Sequence, residues 1–598
     1  MSSADFSTVL VKDDRIANLT DKIVYAVNKG AQQVTVAEFA ATSESNTSHV
    51  YNIVVPSLET VIDRRVNWTS TVTLEINATC AANMQPINYG VRDALGPFPL
   101  HQLVNTMTAT INNNTVSMNT KDILPAMLRM LENRELAKYN NSTPVAYDTY
   151  LNYSDMAGTN NNSFGGYSVV GPDNDIQPRG SFALDEVYAI NGAGAKVPVP
   201  VSAGAVATYY VRFTVTEPLL LSPFLFANPK TNNQGIYGIQ NMSFTMTMGD
   251  TSRVWRHYNN ASVTAINSVR LVSFQTSKLS FNFLSLHPSD SIPSRCVVPF
   301  YELPRYIQSN LPPIAARTGG DGLNGLVVNP GVATYSSSTI SLNQIPDKLI
   351  IYLRKSIRTW TDSDSFLPIT KININWNNNS GVCNSFNVVD LWKASVEAGS
   401  NQSFNEFRGY AFSASTNADE TTVGSGAGKL IPTCGSVLML DMGQHVNLVE
   451  DFYAPGSIGQ FSFQIAVTCA NYSDAVVNPE LVVIAMNSGS FATERGTSST
   501  FVALLDKETV LQTSQMEPVS RGEVKRLVGG GFLDSLKSAF KWLIPHAGKI
   551  ANTALTVHDI YKDGPTHKST KARHIVKALG GSSRSGGSMS GGLMSRLK

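Results

Sequence analysis

Two aspartates and a glycine-rich segment are the residues of this sequence whose spacing could support chemistry. Asp362 and Asp364 stand two positions apart in TDSDSF, and carboxylates on one face of a strand or in a loop can hold a hard cation. Gly320, Gly322 and Gly325 have the G-x-G-x-x-G spacing of dinucleotide-binding loops. That fingerprint needs a preceding strand and a following helix, and the sequence predicts neither. We interpret the glycines as a flexible loop and the aspartates as a solvated turn.

The other reactive side chains form no catalytic set. No HExxH, GxxxxGK[ST] or GxSxG motif occurs. The histidines before residue 520 share no ligand spacing with a cysteine or a carboxylate: His49, His101, His257, His287 and His445. The five cysteines are odd in number and widely spaced, which indicates a reducing compartment rather than disulfides or a zinc knuckle: Cys80, Cys296, Cys383, Cys434 and Cys469. The sequence predicts no enzyme, cofactor or metal site.

Composition indicates a large protein that buries much of its surface. The chain has 598 residues, of which 42% are hydrophobic and only 15% charged, against about 25% charged in an average domain. Two or more domains and extensive subunit interfaces are expected at this size and polarity. The N-terminal sequence lacks the apolar core of a signal peptide, and no 18-residue apolar run predicts a membrane-spanning helix.

Charge is distributed unevenly along the chain. The formal net charge is +1, yet residues 521–598 contain fourteen Lys or Arg against four Asp or Glu. A basic tail behind an acidic body predicts either contact with an anionic partner, such as nucleic acid or lipid headgroups, or a solvated, disordered segment.

The first 44 residues are predicted to form a separate, helical N-terminal arm. Apolar residues recur there at helical spacing before Gly30, a natural helix stop. These residues are Ile16, Leu19, Ile23 and Val27.

Alternating apolar and polar residues from about residue 45 onwards predict strands. RRVNWTSTVTLEI places every second apolar side chain on one face. The strand phrases TMTATINNNT and ITKININWNNNSG both run into asparagine turns, at 112–114 and 377–379. Each is followed by a helical piece, 122–139 in the first case, then a long region and a strand ending in Met-Gly, at 248–249 and 442–443. We predict two similar β-sandwich domains, 45–280 and 281–515.

Residues 140–205 depart from this pattern. The segment is rich in Asn, Ser, Gly and Tyr and has little periodicity. It is too long for a simple connection, so we predict an elaborated surface loop inserted between strands.

The sequences of the predicted strands resemble those of double jelly-roll major capsid proteins of polinton-like viruses, virophages and adintoviruses. VIDRRVNWTSTVTLEI, GPFPLHQLVNTMTATINNNTVSM and EPLLLSPFLF are similar to the first barrel, and PDKLIIYLRK, SDSFLPITKININWNNNSG and PELVVIAMNSGSF to the second. The resemblance covers about residues 50–510. It implies an all-β fold of two consecutive jelly rolls, with 140–205 projecting as a tower. It also implies a homotrimeric, pseudo-hexagonal capsomer in the icosahedral virion of a DNA virus, with penton and minor capsid proteins as partners.

Two other classes remain open from the residues alone. Two sandwiches with aromatic loops could form a carbohydrate-binding fibre or adhesin, for which Tyr147, Tyr150, Tyr153 and Tyr167 would supply ring contacts. A single-jelly-roll RNA-virus capsid with a lytic C-terminal peptide is the other alternative, although such proteins carry a strongly basic N-terminal arm. Here the basic residues of the first 30 positions are balanced by aspartates.

The tail, 516–598, contains an amphipathic segment behind three glycines. On a helix, residues 532–554 place their apolar side chains on one face, which predicts either docking inside the capsid or activity on a host membrane. Pro545 should kink such a helix. The residues of the proposed face are Phe532, Leu533, Leu536, Phe540, Trp542, Leu543 and Ile550.

The glycines flanking this segment resemble the cleavage consensus of adenovirus-type maturation proteases. LVGG before Gly531 and MSGG before Leu593 match the pattern of an apolar residue, any residue and two glycines before the cut. The resemblance implies cleavage at Gly530–Gly531 and Gly592–Leu593 and release of a piece like the adenoviral internal lytic protein. A plain flexible linker is the alternative.

The basic part of the tail is predicted to contact genomic DNA. Positive side chains bind phosphates without regard to sequence, and the binding weakens as salt rises. The candidate contacts are Lys562, Lys568, Lys571, Arg573 and Lys577.

Overall fold

The computed structural model describes most of the chain before residue 503. The described residues are 7–12, 24–29, 33–153, 163–164, 180–224, 235–258, 264–285, 294–319, 328–377, 379–412, 430–448 and 455–502. Within them, no helix has the length and hydrophobicity needed to cross a bilayer.

Within its described residues, the first half contains seventeen strands and three short α-helices. The strands are β1 (Ser7–Lys12), β2 (Val24–Lys29), β3 (Gln33–Ala40), β4 (Ser43–Glu44), β5 (Ser48–Val54), β6 (Val61–Asp63), β7 (Asn67–Cys80), β8 (Asp93–Leu95), β9 (Val104–Ile111), β10 (Asn114–Met118), β11 (Glu186–Ile190), β12 (Lys196–Val197), β13 (Val206–Pro218), β14 (Gly235–Ile236), β15 (Asn241–Met248), β16 (Trp255–His257) and β17 (Thr264–Ser285). The helices are α1 (Pro99–Leu103), α2 (Thr120–Met130) and α3 (Asn133–Ala137).

The described part of the second half continues with fifteen strands and two helices. The strands are β18 (Arg295–Glu302), β19 (Arg305–Gln308), β20 (Thr318–Gly319), β21 (Val328–Asn329), β22 (Gly331–Ser336), β23 (Ile340–Gln344), β24 (Lys348–Lys355), β25 (Ile369–Trp376), β26 (Asn379–Val382), β27 (Tyr410–Phe412), β28 (Leu430–Pro432), β29 (Leu438–Asp441), β30 (Ile458–Asn471), β31 (Pro479–Glu494) and β32 (Thr497–Val502). The helices are α4 (Val388–Glu397) and α5 (Phe404–Phe407).

Each half builds two main antiparallel sheets, whose central strands follow the same order in both halves. In the first half, sheet 1A has the order β10-β9-β15-β5-β4, and sheet 1B has the order β12-β11-β13-β7-β17-β6-β14 with β3 on β17. In the second half, sheet 2A has the order β26-β25-β30-β22, with β23 also on β30. Sheet 2B has the order β29-β24-β31-β18, with β19 and β32 also on β31. Both pairs of sheets have jelly-roll topology, so we call them the first and second rolls.

Equivalent asparagines turn the chain between equivalent strands of the two rolls. Asn112 connects β9 to β10 with φ 51°, and Asn377 connects β25 to β26 with φ 50°. Asparagine tolerates this left-handed conformation better than most residues. The predicted asparagine turns and double jelly roll are confirmed.

The Met-Gly parallel between the halves is wrong. Met248 ends β15, which lies inside sheet 1A, whereas Met442 follows β29, which pairs with β24 at the edge of sheet 2B. The two strands therefore occupy different places in their rolls. The predicted helix 122–139 is present but is divided into α2 and α3.

The N-terminal arm is extended where the structure describes it, so the helical prediction is wrong there. β1 and β2 form an antiparallel ladder with Val9 opposite Val27 and Val11 opposite Tyr25, and β3 pairs with β17 as part of sheet 1B. β-branched residues favour a ladder once a partner strand is available, and helical spacing alone does not reveal that partner. The positions Ile16, Leu19 and Ile23 lie outside the described residues.

Candidate functional site

Sheet 2B is buried on both faces and forms the wall between the two rolls. Its inner face, which includes Leu349 and Ile351, packs into the core of the second roll. Its outer face, which includes Ile350 and Tyr352, joins the core of the first roll. The same alternation continues along β31 and β29. Strands covered on both sides read as continuous apolar runs, as KLIIYLRK and ELVVIAM do.

Helix α2 packs onto this wall from the first roll. All its residues from Asp122 to Met130 are buried, because the helix lies between β9 of its own roll and the outer face of sheet 2B. Asp122 binds the wall through three groups of the second roll. The Tyr352 hydroxyl donates to its carbonyl oxygen at 2.6 Å, Arg354 Nη2 lies 2.6 Å from its Oδ1, and Arg305 pairs with its Oδ2.

Arg129 is the centre of the ionic contacts at the junction. Its side chain is fully buried. Its Nη2 donates to the carbonyl oxygens of Asp148 and Asp364, each at 3.1 Å, and its Nε lies 3.3 Å from Glu406 Oε1. The guanidinium also lies over the Phe366 ring, 4.7 Å from the centroid. One side chain of the first roll therefore binds three segments near the junction, two of them in the second roll.

A second group of charges surrounds Asp364. Its backbone N–H donates to Asp148 Oδ2 at 2.7 Å, and Arg256 Nε lies 3.2 Å from the same oxygen. Its own carboxylate pairs with Arg358 and lies 3.7 Å from Arg253 Nη2. Burial disfavours the charged form of Asp364, but Arg358 and Arg253 outweigh burial and hold the pKa of this carboxyl well below its usual range.

Glu406 has the opposite balance. Burial raises the pKa of its carboxyl, and the nearby Arg129 offsets only part of that rise. The Gln402 side-chain amide also donates to Glu406 Oε1, at 3.1 Å. Losing the Arg129 charge would leave Glu406 buried without its cation, which is costly in a low-dielectric interior.

Residues 143–153, which we call the strap, run across the junction instead of projecting from it. The Leu151 N–H donates to the Pro432 carbonyl at 3.0 Å, and the Cys434 N–H donates to the Thr149 carbonyl at 2.9 Å. The tower prediction for 140–205 is therefore wrong over the strap. Later in the segment, β11 and β12 extend sheet 1B, while residues 154–162 and 165–179 lie outside the described residues.

The aromatic residues proposed for a sugar-binding loop are mostly buried. Tyr147 and Tyr153 are buried in the strap, and the Tyr153 hydroxyl donates to the Asp362 carbonyl at 2.9 Å. Tyr150 forms a β-bridge with Thr433, and Tyr167 lies outside the described residues. The Tyr147 ring packs among first-roll residues such as Leu124 and lies under the Arg129 guanidinium, and the Tyr153 ring packs against Phe164.

The solvated-turn interpretation is wrong for Asp364, which is buried, whereas Asp362 lies in a part-exposed turn. Asp362 binds the Lys355 ammonium at 2.7 Å, and Asp364 is buried among arginines. Across the described ranges, no group of three or more His, Cys, Asp or Glu residues could hold a metal ion. Positive neighbours make this carboxylate part of a structural ion network.

Three histidines have carboxylate partners that the sequence could not indicate. His101 Nδ1 lies 2.5 Å from Glu217 Oε2, His257 Nδ1 lies 2.9 Å from Asp93 Oδ1, and the more exposed His445–Glu397 pair is 3.3 Å apart. The first two pairs are buried inside the first roll. They stabilise the fold through neighbours more than 100 residues away in sequence.

All five cysteines are buried and unbridged. Burial raises the pKa of the Cys296 and Cys383 thiols to about 11 and that of Cys469 to about 12. Such thiols are poor nucleophiles at neutral pH.

Arg129 could have been suspected from the sequence. It stands in DILPAMLRML as the one cation of an apolar helical stretch, and a buried charge requires a partner. Its partners could not be identified from the sequence, because they come from distant segments.

The site residues predicted in the tail lie outside the described residues. These are the cleavage positions Gly530, Gly531, Gly592 and Leu593, the apolar face Phe532, Leu533, Leu536, Phe540, Trp542, Leu543 and Ile550, and the basic residues Lys562, Lys568, Lys571, Arg573 and Lys577.

Comparison with known proteins places both rolls in viral capsid families. Residues 4–284 match the family described as the first domain of the Sputnik virophage major capsid protein. Residues 318–489 match the C-terminal domain of major capsid protein V20. The putative capsid protein V20 of Sputnik virophage is 26% identical over 585 residues, which cover 94% of this chain and 89% of that protein.

Solved structures share the fold. The cryo-EM structure of the Sputnik virophage contains a chain that matches with a TM-score of 0.71 and 25% identity, over 88% of this chain and all of that chain. The crystal structure of the mavirus major capsid protein matches with a TM-score of 0.66 and 14% identity, over 87% of this chain and all of that one.

Proposed function

Because this chain is a virophage-type major capsid protein, a structural component of an icosahedral virion and not an enzyme, we propose that three copies associate into a pseudo-hexagonal capsomer. The observation that supports this is the junction between the rolls. Two domains of one topology are fixed side by side by a shared wall and by the buried contacts of Arg129 and Asp122. Three such chains supply six similar domains for one closed ring.

The mass of the purified native protein tests the capsomer. We expect the full chain, and a version ending at Gly530, to have three times the monomer mass in native mass spectrometry. A stable monomer under assembly conditions would contradict the proposal.

Capsomers also need neighbours to close a shell. We propose lateral contacts between capsomers and contacts with penton and minor capsid proteins, since the low charged fraction suits extensive protein interfaces. Co-purification of the subunit with pentons from disrupted particles, mapped by cross-linking, would test these partners.

Support for maturation cleavage of the tail comes from two consensus matches in a glycine- and serine-rich context, before Gly531 and before Leu593. Glycine suits a narrow protease groove because it has no Cβ. Purified virions, analysed on a gel and by mass spectrometry, should contain a chain that ends at Gly530. A full-length chain in mature particles would contradict cleavage at this site.

The segment 531–560 is proposed to act on a host membrane during entry, with docking inside the shell as the alternative. Trp542 suits the bilayer interface, and Lys537, Lys541 and Lys549 suit anionic headgroups. A synthetic 531–560 peptide should release dye from anionic vesicles, and replacing Phe540 and Leu543 with Glu should abolish release. Intact vesicles at every soluble peptide-to-lipid ratio would leave the docked helix as the explanation.

The basic residues from Lys562 to Lys577 are proposed to bind genomic DNA inside the particle. Binding should depend on salt and not on sequence. A 555–598 peptide, titrated against duplex DNA at two salt concentrations, should bind more weakly at the higher one. Affinity that ignores salt would exclude phosphate contacts.

A further inference from the structure

Helices α2 and α4 occupy equivalent places in the two rolls. Each follows the hairpin made by the asparagine turn, β9–β10 for α2 and β25–β26 for α4. Each is preceded by an asparagine at the N-cap, Asn119 and Asn387, and has an aspartate three residues later, Asp122 and Asp390. The Asn387 and Asp390 side chains form a complete capping box on α4.

The two helices differ in what covers them. Helix α2 is buried on all sides because the second roll packs against its outer side. Helix α4 buries Leu391, Ala394 and Ser395 against its own roll, but Val389 and Val396 are each 39% exposed and Lys393 is exposed. The exposed positions are four and three residues apart, so they share one side of the helix. Asp390 and Glu397 on this solvent side of α4 correspond, counted from the N-caps, to Asp122 and Arg129, the residues through which α2 binds the second roll.

The outer faces of sheets 1B and 2B differ in what covers them, as the two helices do. The outer face of sheet 2B is covered by the first roll. On sheet 1B, the outer face of β7, β13 and β17 carries polar side chains that are part-buried or exposed. No other element among the described residues packs on this face. Among these polar side chains are Thr71, Glu75, Tyr210, Arg212 and Arg270.

These polar side chains bond one another across neighbouring strands. Thr71 Oγ1 lies 2.8 Å from Thr214 Oγ1 on the neighbouring strand. The Tyr210 hydroxyl donates to Glu75 Oε2 at 3.0 Å, and Arg270 Nη2 lies 2.8 Å from the same oxygen. The Arg270 side chain is nonetheless 70% exposed, so its charge can meet a partner.

We infer that α4 of one copy docks on the outer face of sheet 1B of a second copy, repeating between chains the contact that α2 makes with sheet 2B within one chain. The inference rests on the proposed trimer and names the surfaces that join it. Each copy has one helix and one sheet face to offer, so the contact is heterologous, and in the proposed trimer three such contacts close a ring. Six helix-on-sheet contacts then surround the capsomer, three within chains and three between them.

Charge supports this pairing. The solvent side of α4 carries Asp390, Lys393 and Glu397, and the sheet face offers Arg212, Arg270 and Glu75. Both surfaces have mixed sign, so opposite charges can be paired across the contact. Within the chain, the equivalent aspartate, Asp122, already pairs with two arginines of the opposing roll.

A photo-crosslinker on α4 tests the assignment directly. In the full-length chain, Lys393→p-benzoylphenylalanine should give, after irradiation of the trimer, an inter-chain product that maps to β7, β13 or β17. A trimer whose cross-links map elsewhere overturns the assigned surfaces and leaves the trimer itself intact. A wild-type chain that stays monomeric overturns the trimer, and with it this inference.

Paired substitutions supply the second test. Val389→Asp with Val396→Asp should weaken trimer association at least tenfold in sedimentation velocity, while circular dichroism and the melting temperature stay close to wild type. The matched control is Val332→Asp with Ile357→Asp, because both residues are exposed and apolar and lie on other elements, Val332 on β22 and Ile357 just after β24. Equal trimer stability in the two variants, with both folded, would overturn the inference.

Discussion

The outer faces of sheets 1B and 2B have the same topological position and opposite chemistry. On sheet 2B the face presents Ile350, Tyr352 and Ile484 and is buried inside the chain. On sheet 1B the corresponding face presents Thr71 and Arg270 to solvent. A contact made within one chain can be apolar, because folding covers it at once. A face that must stay in water until another copy arrives is better built from polar groups that already bond one another.

Removing Arg129 should cause the largest loss of stability. Arg129→Ala takes away the cation that faces Glu406 and the donors that bind the Asp148 and Asp364 carbonyls. We expect the free energy of unfolding to fall by about 3–5 kcal/mol, measured by denaturant titration. The exposed Arg134, on α3, is the matched control, and Arg134→Ala should change stability by less than about 0.5 kcal/mol. Similar losses in both variants would mean that the junction does not depend on its buried charges.

Alanine substitutions on equivalent strands of the two rolls compare the outer faces of sheets 1B and 2B directly. Ile350 lies on β24 against the first roll, and Thr71 lies on β7, the equivalent strand of sheet 1B. Ile350→Ala should cost about 2–4 kcal/mol through lost burial and the cavity left behind, whereas Thr71→Ala should cost about 1 kcal/mol or less. Denaturant midpoints of the two variants check the difference. Equal costs would contradict the view that only one face is part of a core.

Acid should lower the stability of the first roll through a histidine in its core. His49 is buried beside the Phe274 ring, with 4.1 Å between centroids, and burial lowers its pKa to about 4. The unfolded chain binds a proton near pH 6.5, so stability is full above that pH and falls as the pH drops towards 4. Between pH 7.5 and 5.0 this loss should be about 2 kcal/mol.

His49→Phe removes the titrating group and keeps a ring in the cluster. The variant should lose less stability than wild type over the same pH interval, as measured by the difference between their unfolding free energies at the two values. An identical pH dependence in both proteins would assign the acid sensitivity to other groups.

The smallest effect is expected on the exposed face. Arg270→Ala removes an ion pair with Glu75 that lies mostly in water, and such pairs contribute about 0–1 kcal/mol. Thermal melting of the subunit should therefore hardly change. A large drop in melting temperature would show that this face is already packed within the single chain.

The sequence was sufficient to predict the fold because the fold is determined largely by local patterns. Alternation predicted the strands, and the two asparagine turns revealed the same hairpin in both halves. The junction was not predictable, because the residues that it joins, such as Arg129 and Asp364, are separated by 235 positions. The tyrosines of the strap were misread for the same reason. Their sequence environment is polar, and they are buried only because distant segments of the chain pack around them.

The N-terminal arm shows the limit of periodicity. Val27 fits helical spacing and also fits the ladder in which it lies opposite Val9. Periodicity alone could not choose between them, since the choice depends on a partner strand elsewhere in the chain.

The shared wall also constrains how the protein is made. Helix α2 ends at Met130, whereas β24, which contributes Tyr352 and Arg354 to its binding, begins at Lys348. A ribosome adds about 5–20 residues per second, so about 10–45 seconds separate the synthesis of the helix from that of this strand. During that interval Asp122 lacks the Tyr352 hydroxyl and the Arg354 guanidinium that bind it in the folded chain. The nascent first roll therefore exposes part of its junction surface until the second roll is made, and we expect holding chaperones to bind it during that time.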